Sequence, residues 1–125
     1  MSQKEDENTN ARRAWNTNAE FWDQRMVEGN DFFNVLVWPA VEKLLRPSEG
    51  DRLLDVACGN GVTSRRLANA KARVTAFDFL QPMIDLARKR DGQSNIDYRQ
   101  STRPTAKRCL NLESLLSTVR FAIWR

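Results

Sequence analysis

The apolar positions of this chain change period near residue 53. Upstream they recur every three or four residues, whereas Leu53, Leu54 and Val56 form a compact apolar run broken only by Asp55. Between Ala11 and Glu28, Trp15, Trp22 and Met26 are spaced by seven and four residues among charged neighbours, which predicts one face of a helix. Gly29-Asn30-Asp31 breaks it. A second helix is predicted over Phe32 to Leu45, with Phe33, Val37, Trp38, Val41, Leu44 and Leu45 facing the core. Pro39 lacks a backbone donor, so a kink or restart is expected there.

After the turn Pro47 to Asp51, the Leu53 run reads as a buried strand closed by Ala57-Cys58-Gly59-Asn60-Gly61. Val62 to Ala70 follows as a helix with Arg65 and Arg66 expected on its exposed side. Ala72 to Phe77 is a second strand ending at Asp78, and Pro82, Met83, Ile84, Leu86 and Ala87 begin a helix that closes near Gly92. Asn95 to Gln100 is a short third strand. Strand, helix, strand, helix, strand is the βαβαβ half of a Rossmann-like α/β sheet, in which ligands meet the carboxyl ends of the strands.

Gly59 and Gly61 let a ligand approach the backbone without a Cβ in the way. Asp78 lies 23 residues beyond Asp55 at the end of the second strand, where a carboxylate can accept hydrogen bonds from both vicinal hydroxyls of a ribose. Asp55, just ahead of the glycines, would repel a pyrophosphate and favour a cationic sulfonium or ammonium. Ser64 occupies the slot where a dinucleotide fingerprint carries its third glycine or alanine, a further point against a dinucleotide.

Leu53 to Gly61 and Val74 to Leu86 together resemble the first two motifs of class I S-adenosylmethionine-dependent methyltransferases, in the small-molecule branch that includes the ubiquinone and menaquinone enzymes. The family pattern is an acid followed by three alternating glycines; Asp55, Gly59 and Gly61 match it, and Ala57 replaces the first glycine. The resemblance implies S-adenosylmethionine as cofactor and a small-molecule methyl acceptor. Ala57, Gly59 and Gly61 would then lie along the methionyl part, with Asp55 acting on its amino end through water. Asp78 would take the ribose hydroxyls, with Phe79 and Met83 near the adenine, and the helix around Trp15 would close over the cofactor. No residue is identified as catalytic.

Composition alters this picture mainly at the C-terminal end. With 125 residues, 41% hydrophobic and 29% charged, one globular body is expected. The absence of His and the wide separation of Cys58 and Cys109 argue against histidine acid/base chemistry, a metal site and a disulfide framework. No apolar run reaches the ~18 residues of a membrane span, and the acidic start lacks a signal pattern, so a cytoplasmic protein without a nucleic-acid partner is expected. The net charge of +4 resides in residues 101–125, which hold five Lys/Arg against one Asp/Glu.

The organisation expected is a disordered stretch over 1–10, a helical lead-in or lid over 11–50, a partial cofactor-binding domain over 51–100 and a basic, non-family tail over 101–125. Restoring one nucleotide before the Ser101 codon permits an acidic segment of the kind the family has after its third strand, which is consistent with the hypothesis that one nucleotide was lost near the Gln100 codon. The competing reading is a basic amphipathic helix over Leu112 to Trp124 that docks on the exposed sheet edge, a membrane surface or a partner. The expected function is S-adenosylmethionine-dependent methyl transfer to a small molecule, carried by a truncated fragment that lacks the substrate-binding half and whose own activity is left open; a sheet of only three strands would expose an edge and much of one face, favouring self-association. A non-catalytic cofactor- or partner-binding fragment and an NAD-dependent oxidoreductase fragment are the alternatives.

Overall fold

A computed structural model describes residues 3–92, 95–101 and 119–123. The elements in chain order are α1 (Gln3–Met26), a π-helical segment (Phe33–Val37), α2 (Trp38–Leu45), β1 (Arg52–Val56), α3 (Val62–Asn69), β2 (Arg73–Asp78), α4 (Gln81–Asp91), β3 (Asp97–Gln100) and β4 (Val119–Ile123). All strand pairings are parallel and the sheet order is β3-β2-β1-β4. The Rossmann-like βαβαβ unit expected from the alternating periods is therefore present. Its order reverses between β1 and β4, the switch point at which doubly wound sheets bind ligands.

The core lies between the sheet and the helices that cross between its strands. Leu53 pairs in register with Val74 and Asp55 with Ala76, so these four side chains share a face. Leu53, Val74 and Ala76 pack there with Leu67 of α3, Ile84 and Ala87 of α4 and Tyr98 of β3. A smaller cluster joins Ala19 of α1 to Leu80 and Met83, with Trp22 and Phe79 against it. That cluster seats the lead-in helix over the carboxyl edge.

Four expectations need correction. The chain is helical from Gln3, whereas residues 1–10 were expected to be disordered; this stretch has no Gly or Pro, and its acids at positions 5–7 suit a helix N-terminus. Arg65 is 8% exposed and not a surface residue, because its guanidinium folds onto the Asn60 carbonyl and pairs with Glu28. Leu44, placed in the core by helical spacing, is 85% exposed on the outer side of a helix only eight residues long. Val119–Ile123 is a strand pairing with all five positions of β1, not part of a helix. The edge of β1 is thus covered, and on its second face Leu54 and Phe77 are buried. Cys109 and the rest of 102–118 lie outside the described residues.

The restart at Pro39 is present in a specific form. Phe33–Val37 is wound as a π-helix that runs directly into α2, which begins at Trp38 with Pro39 in its first turn.

Candidate ligand-binding site

The chain leaves β1 through a turn in which Ala57, Gly59 and Gly61 all adopt left-handed backbone angles, with φ of 59°, 55° and 80°. Glycine adopts them freely; Ala57 does so at a cost of about 1–2 kcal/mol. Ala57→Gly is therefore expected to stabilise the fold by about 0.5–1 kcal/mol after the extra unfolded-state entropy of glycine is subtracted, read as a higher urea midpoint with unchanged slope. The two glycines differ in what surrounds them. A Cβ on Gly59 would enter open space, whereas one on Gly61 would lie 2.7 Å from Tyr98 Oη and 3.1 Å from an Arg65 nitrogen.

Asp78 closes β2 beside this turn. Its Oδ2 accepts the Gly59 N–H at 3.0 Å and its Oδ1 accepts the Leu80 N–H at 3.0 Å, so the carboxylate ties the glycine turn to the start of α4. Each oxygen can accept further hydrogen bonds. Burial raises the pKa of Asp78, while the Leu80 and Gly59 amides oppose the rise. Asp55 is placed differently. It continues the Leu53 face of β1 into the first turn of α3, is 1% exposed, and its Oδ2 accepts the Ser64 hydroxyl at 2.5 Å. Its Oδ1 has no hydrogen-bond partner among the described residues. Burial pushes the Asp55 pKa up to about 6, against the Ser64 hydrogen bond and reinforced by the charge of Asp78.

A cavity of about 280 Å³ opens over the turn. Of the residues the sequence singled out, Trp15, Ala57, Gly59, Asp78, Phe79 and Met83 line it together. Asp55 and Gly61 do not; they lie behind the turn and shape it from the core side. The opposite wall comes from the lead-in segment through Trp22, Met26, Phe32, Phe33 and Val37, and Trp15 stacks edge-to-face on Trp22 with ring centroids 5.8 Å apart. Cys58 also lines the cavity as a buried free thiol whose pKa burial pushes well above its ordinary range, so it is an inert wall.

Sequence reasoning missed the polar contacts that hold the lead-in segment down. Asn60, buried between the two glycines, donates through Nδ2 to Asp23 Oδ1 at 3.0 Å and to the Val27 carbonyl at 3.2 Å. Arg90 of α4 forks onto the same Asp23 carboxylate at 2.6 and 2.9 Å. Arg65 donates to the Asn60 carbonyl and pairs with Glu28, while Arg66 donates to the Glu28 carbonyl and to Asn34 and lies over the Phe33 and Trp38 rings. Apart from the Arg65–Asn60 bond, these partners lie 28 to 67 residues apart, and no local pattern links them.

A glycine turn, a strand-end carboxylate and an apolar strip at the carboxyl edge of a Rossmann-like sheet define a site of nucleoside-binding type. Residues 53–112 match the family described as methyltransferase domain. The chain is 46% identical over 55 residues to a ubiquinone biosynthesis O-methyltransferase of Actinobacillus pleuropneumoniae, covering 42% of this chain and 24% of that protein. It is 34% identical over 94 residues to the enzyme of that name from Azotobacter vinelandii, covering 74% and 38%. Among solved structures, the DhpI-SAM-HEP complex is 27% identical with a TM-score of 0.59, over 81% of this chain and 44% of that one. Over the matched region the chain is similar to class I S-adenosylmethionine-dependent methyltransferases, and it spans about a quarter to two-fifths of the curated relatives named here. No described helix is long and apolar enough to cross a membrane.

Proposed function

We propose that the cavity takes S-adenosylmethionine and serves methyl transfer to a small-molecule acceptor. The observation that carries this reading is the meeting of Asp78, the bare face of Gly59 and the apolar pair Phe79 and Met83 around one cavity. The donor set fits a nucleoside with a zwitterionic tail. Asp78 has acceptor capacity beyond its two backbone bonds for vicinal hydroxyls, and the open space at Gly59 is what a Cβ would fill. Phe79 and Met83 offer an apolar seat for the adenine, and Trp15, Trp22 and Met26 cover the cavity from the other side. When bound, the cofactor supplies a methyl group on an electrophilic sulfonium.

The chain's own contribution to such an in-line displacement is to bind, orient and exclude water, which can supply most of the acceleration. Its turn is held open by Asp78 through the Gly59 amide, and its aromatic wall shields the cavity. No described side chain is assigned as a base. The methyl acceptor is of the small-molecule kind that the names of the relatives suggest.

Calorimetric titration with S-adenosylhomocysteine and, separately, NAD tests this reading. Saturable binding of S-adenosylhomocysteine is expected, lost by at least tenfold in Asp78→Ala. Binding of NAD alone would replace this reading with a dinucleotide one, and binding of neither compound would leave a non-binding fragment.

A further inference from the structure

The turn that receives the ligand is built on two glycines, the residues that lose most conformational freedom on folding, so something must hold it in shape. Asn60, between them, spends its whole side-chain amide on this task. Its Nδ2 donates to Asp23 and to the Val27 carbonyl, and its Oδ1 accepts the Val62 N–H at 3.3 Å. Asp23 is itself 6% exposed and is fixed from a third element by the Arg90 fork. The Arg90 guanidinium beside it holds the Asp23 carboxyl below the usual carboxylate range. Val27 adopts φ of 41°, a left-handed angle that a β-branched residue rarely takes, and this aims its carbonyl at Asn60 and Arg65.

We propose that Asp23 is a positioning residue: through its hydrogen bond to Asn60, a latch joins α1 to the glycine turn and holds the turn in its binding shape without touching the ligand. Asn60 lines the cavity and Asp23 does not, so Asp23 acts on binding indirectly, and its hydrogen bond to Asn60 is the direct link from it to the turn. The same bond couples the two walls. Closing the aromatic wall of α1 over the cavity and ordering the turn beneath it become one event, and a ligand that orders one orders the other. The effect on ligand affinity rests on the S-adenosylmethionine reading above; the effect on the turn does not.

The test compares Asp23→Ala, Asp23→Asn and Asn60→Ala in the full chain with two readouts. In the absence of ligand, hydrogen exchange at the Gly59 and Gly61 amides should accelerate at least tenfold in Asp23→Ala and Asn60→Ala, with the β1 amides changing by less than threefold. In calorimetry with S-adenosylhomocysteine, both variants should bind about tenfold more weakly, and their double mutant no worse than either. Asp23→Asn keeps the oxygen facing Asn60 while weakening the Arg90 pair, so it should melt lower yet bind within about threefold of the parent.

Unchanged exchange at the turn in Asp23→Ala would overturn the latch, whether or not the parent binds the cofactor. So would additive losses in the double mutant, or an Asp23→Asn variant as weak as Asp23→Ala, since the Arg90 charge pair would then be what matters. If the parent fails to bind S-adenosylhomocysteine while turn exchange still responds as stated, the cofactor reading falls and the latch stands.

Discussion

Gly61→Ala is expected to cost roughly 3 kcal/mol of stability, the sum of a left-handed backbone penalty and overpacking against a filled neighbour. The new methyl would sit 2.7 Å from Tyr98 Oη, and Tyr98 is a buried core residue that cannot swing clear. Gly59→Ala is the matched control. It carries the same kind of backbone penalty, about 1–2 kcal/mol, but its methyl enters open space over the cavity. The two variants should therefore separate stability from binding. Urea unfolding should show a much lower midpoint for Gly61→Ala, and calorimetry should show the loss of S-adenosylhomocysteine binding in Gly59→Ala while most of its fold is kept. Equal midpoints would mean that the Tyr98 contact relaxes freely, and unimpaired binding in Gly59→Ala would remove Gly59 from the site.

This contrast shows what a sequence can and cannot disclose here. The spacing of Gly59 and Gly61 marks both as candidates for ligand approach, yet only the fold reveals that Gly61 faces Tyr98 of β3 and Gly59 faces the cavity. Elements punctuated by local chemistry were legible: β1 ahead of the glycines, β2 ending at Asp78, α4 opening with Pro82, and the restart at Pro39. Each depends on residues within one turn or one strand of each other. Asp23 was hidden because its partners Asn60 and Arg90 lie 37 and 67 residues away. Arg65 looked like a surface residue because charge patterning does not show that Glu28 and the Asn60 carbonyl wait for it.

The segment Val119–Ile123 was misread for a different reason. Val119 and Ile123 are four apart, as on a helix, but Val119, Phe121 and Ile123 also alternate, as on a strand. So short a run does not discriminate between the two periods. What decides is tertiary: β1 has one side open after β2 takes the other, and a parallel partner satisfies its backbone groups.

Asp55 gives the second large expected effect, and its sign is set by burial. Its folded pKa of about 6 stands above the ordinary value of 3.8, so the folded state binds the proton more tightly than the unfolded one. Stability is then greatest below about pH 4 as far as this group is concerned, and it declines as pH rises to about 6, by up to about 3 kcal/mol. The raised pKa of Asp78 acts with the same sign. Asp23, whose pKa is lowered, acts oppositely, but its contribution is lost only as pH falls below the ordinary carboxylate range. Between pH 4 and 6 the Asp55 slope should therefore be visible in urea midpoints. Asp55→Asn keeps an acceptor for the Ser64 hydroxyl, carries no titrating charge and should flatten most of that slope. The buried Asp55 carboxylate lies behind the ligand turn, where its negative charge favours a cation in the cavity over an anion. The proposed cofactor product carries an ammonium group, so its affinity for the parent chain should rise as pH passes through about 6, while Asp55→Asn should bind more weakly and without that rise. A variant that is stabler at pH 8 yet binds S-adenosylhomocysteine as well as the parent would show that the Asp55 charge has no part in binding.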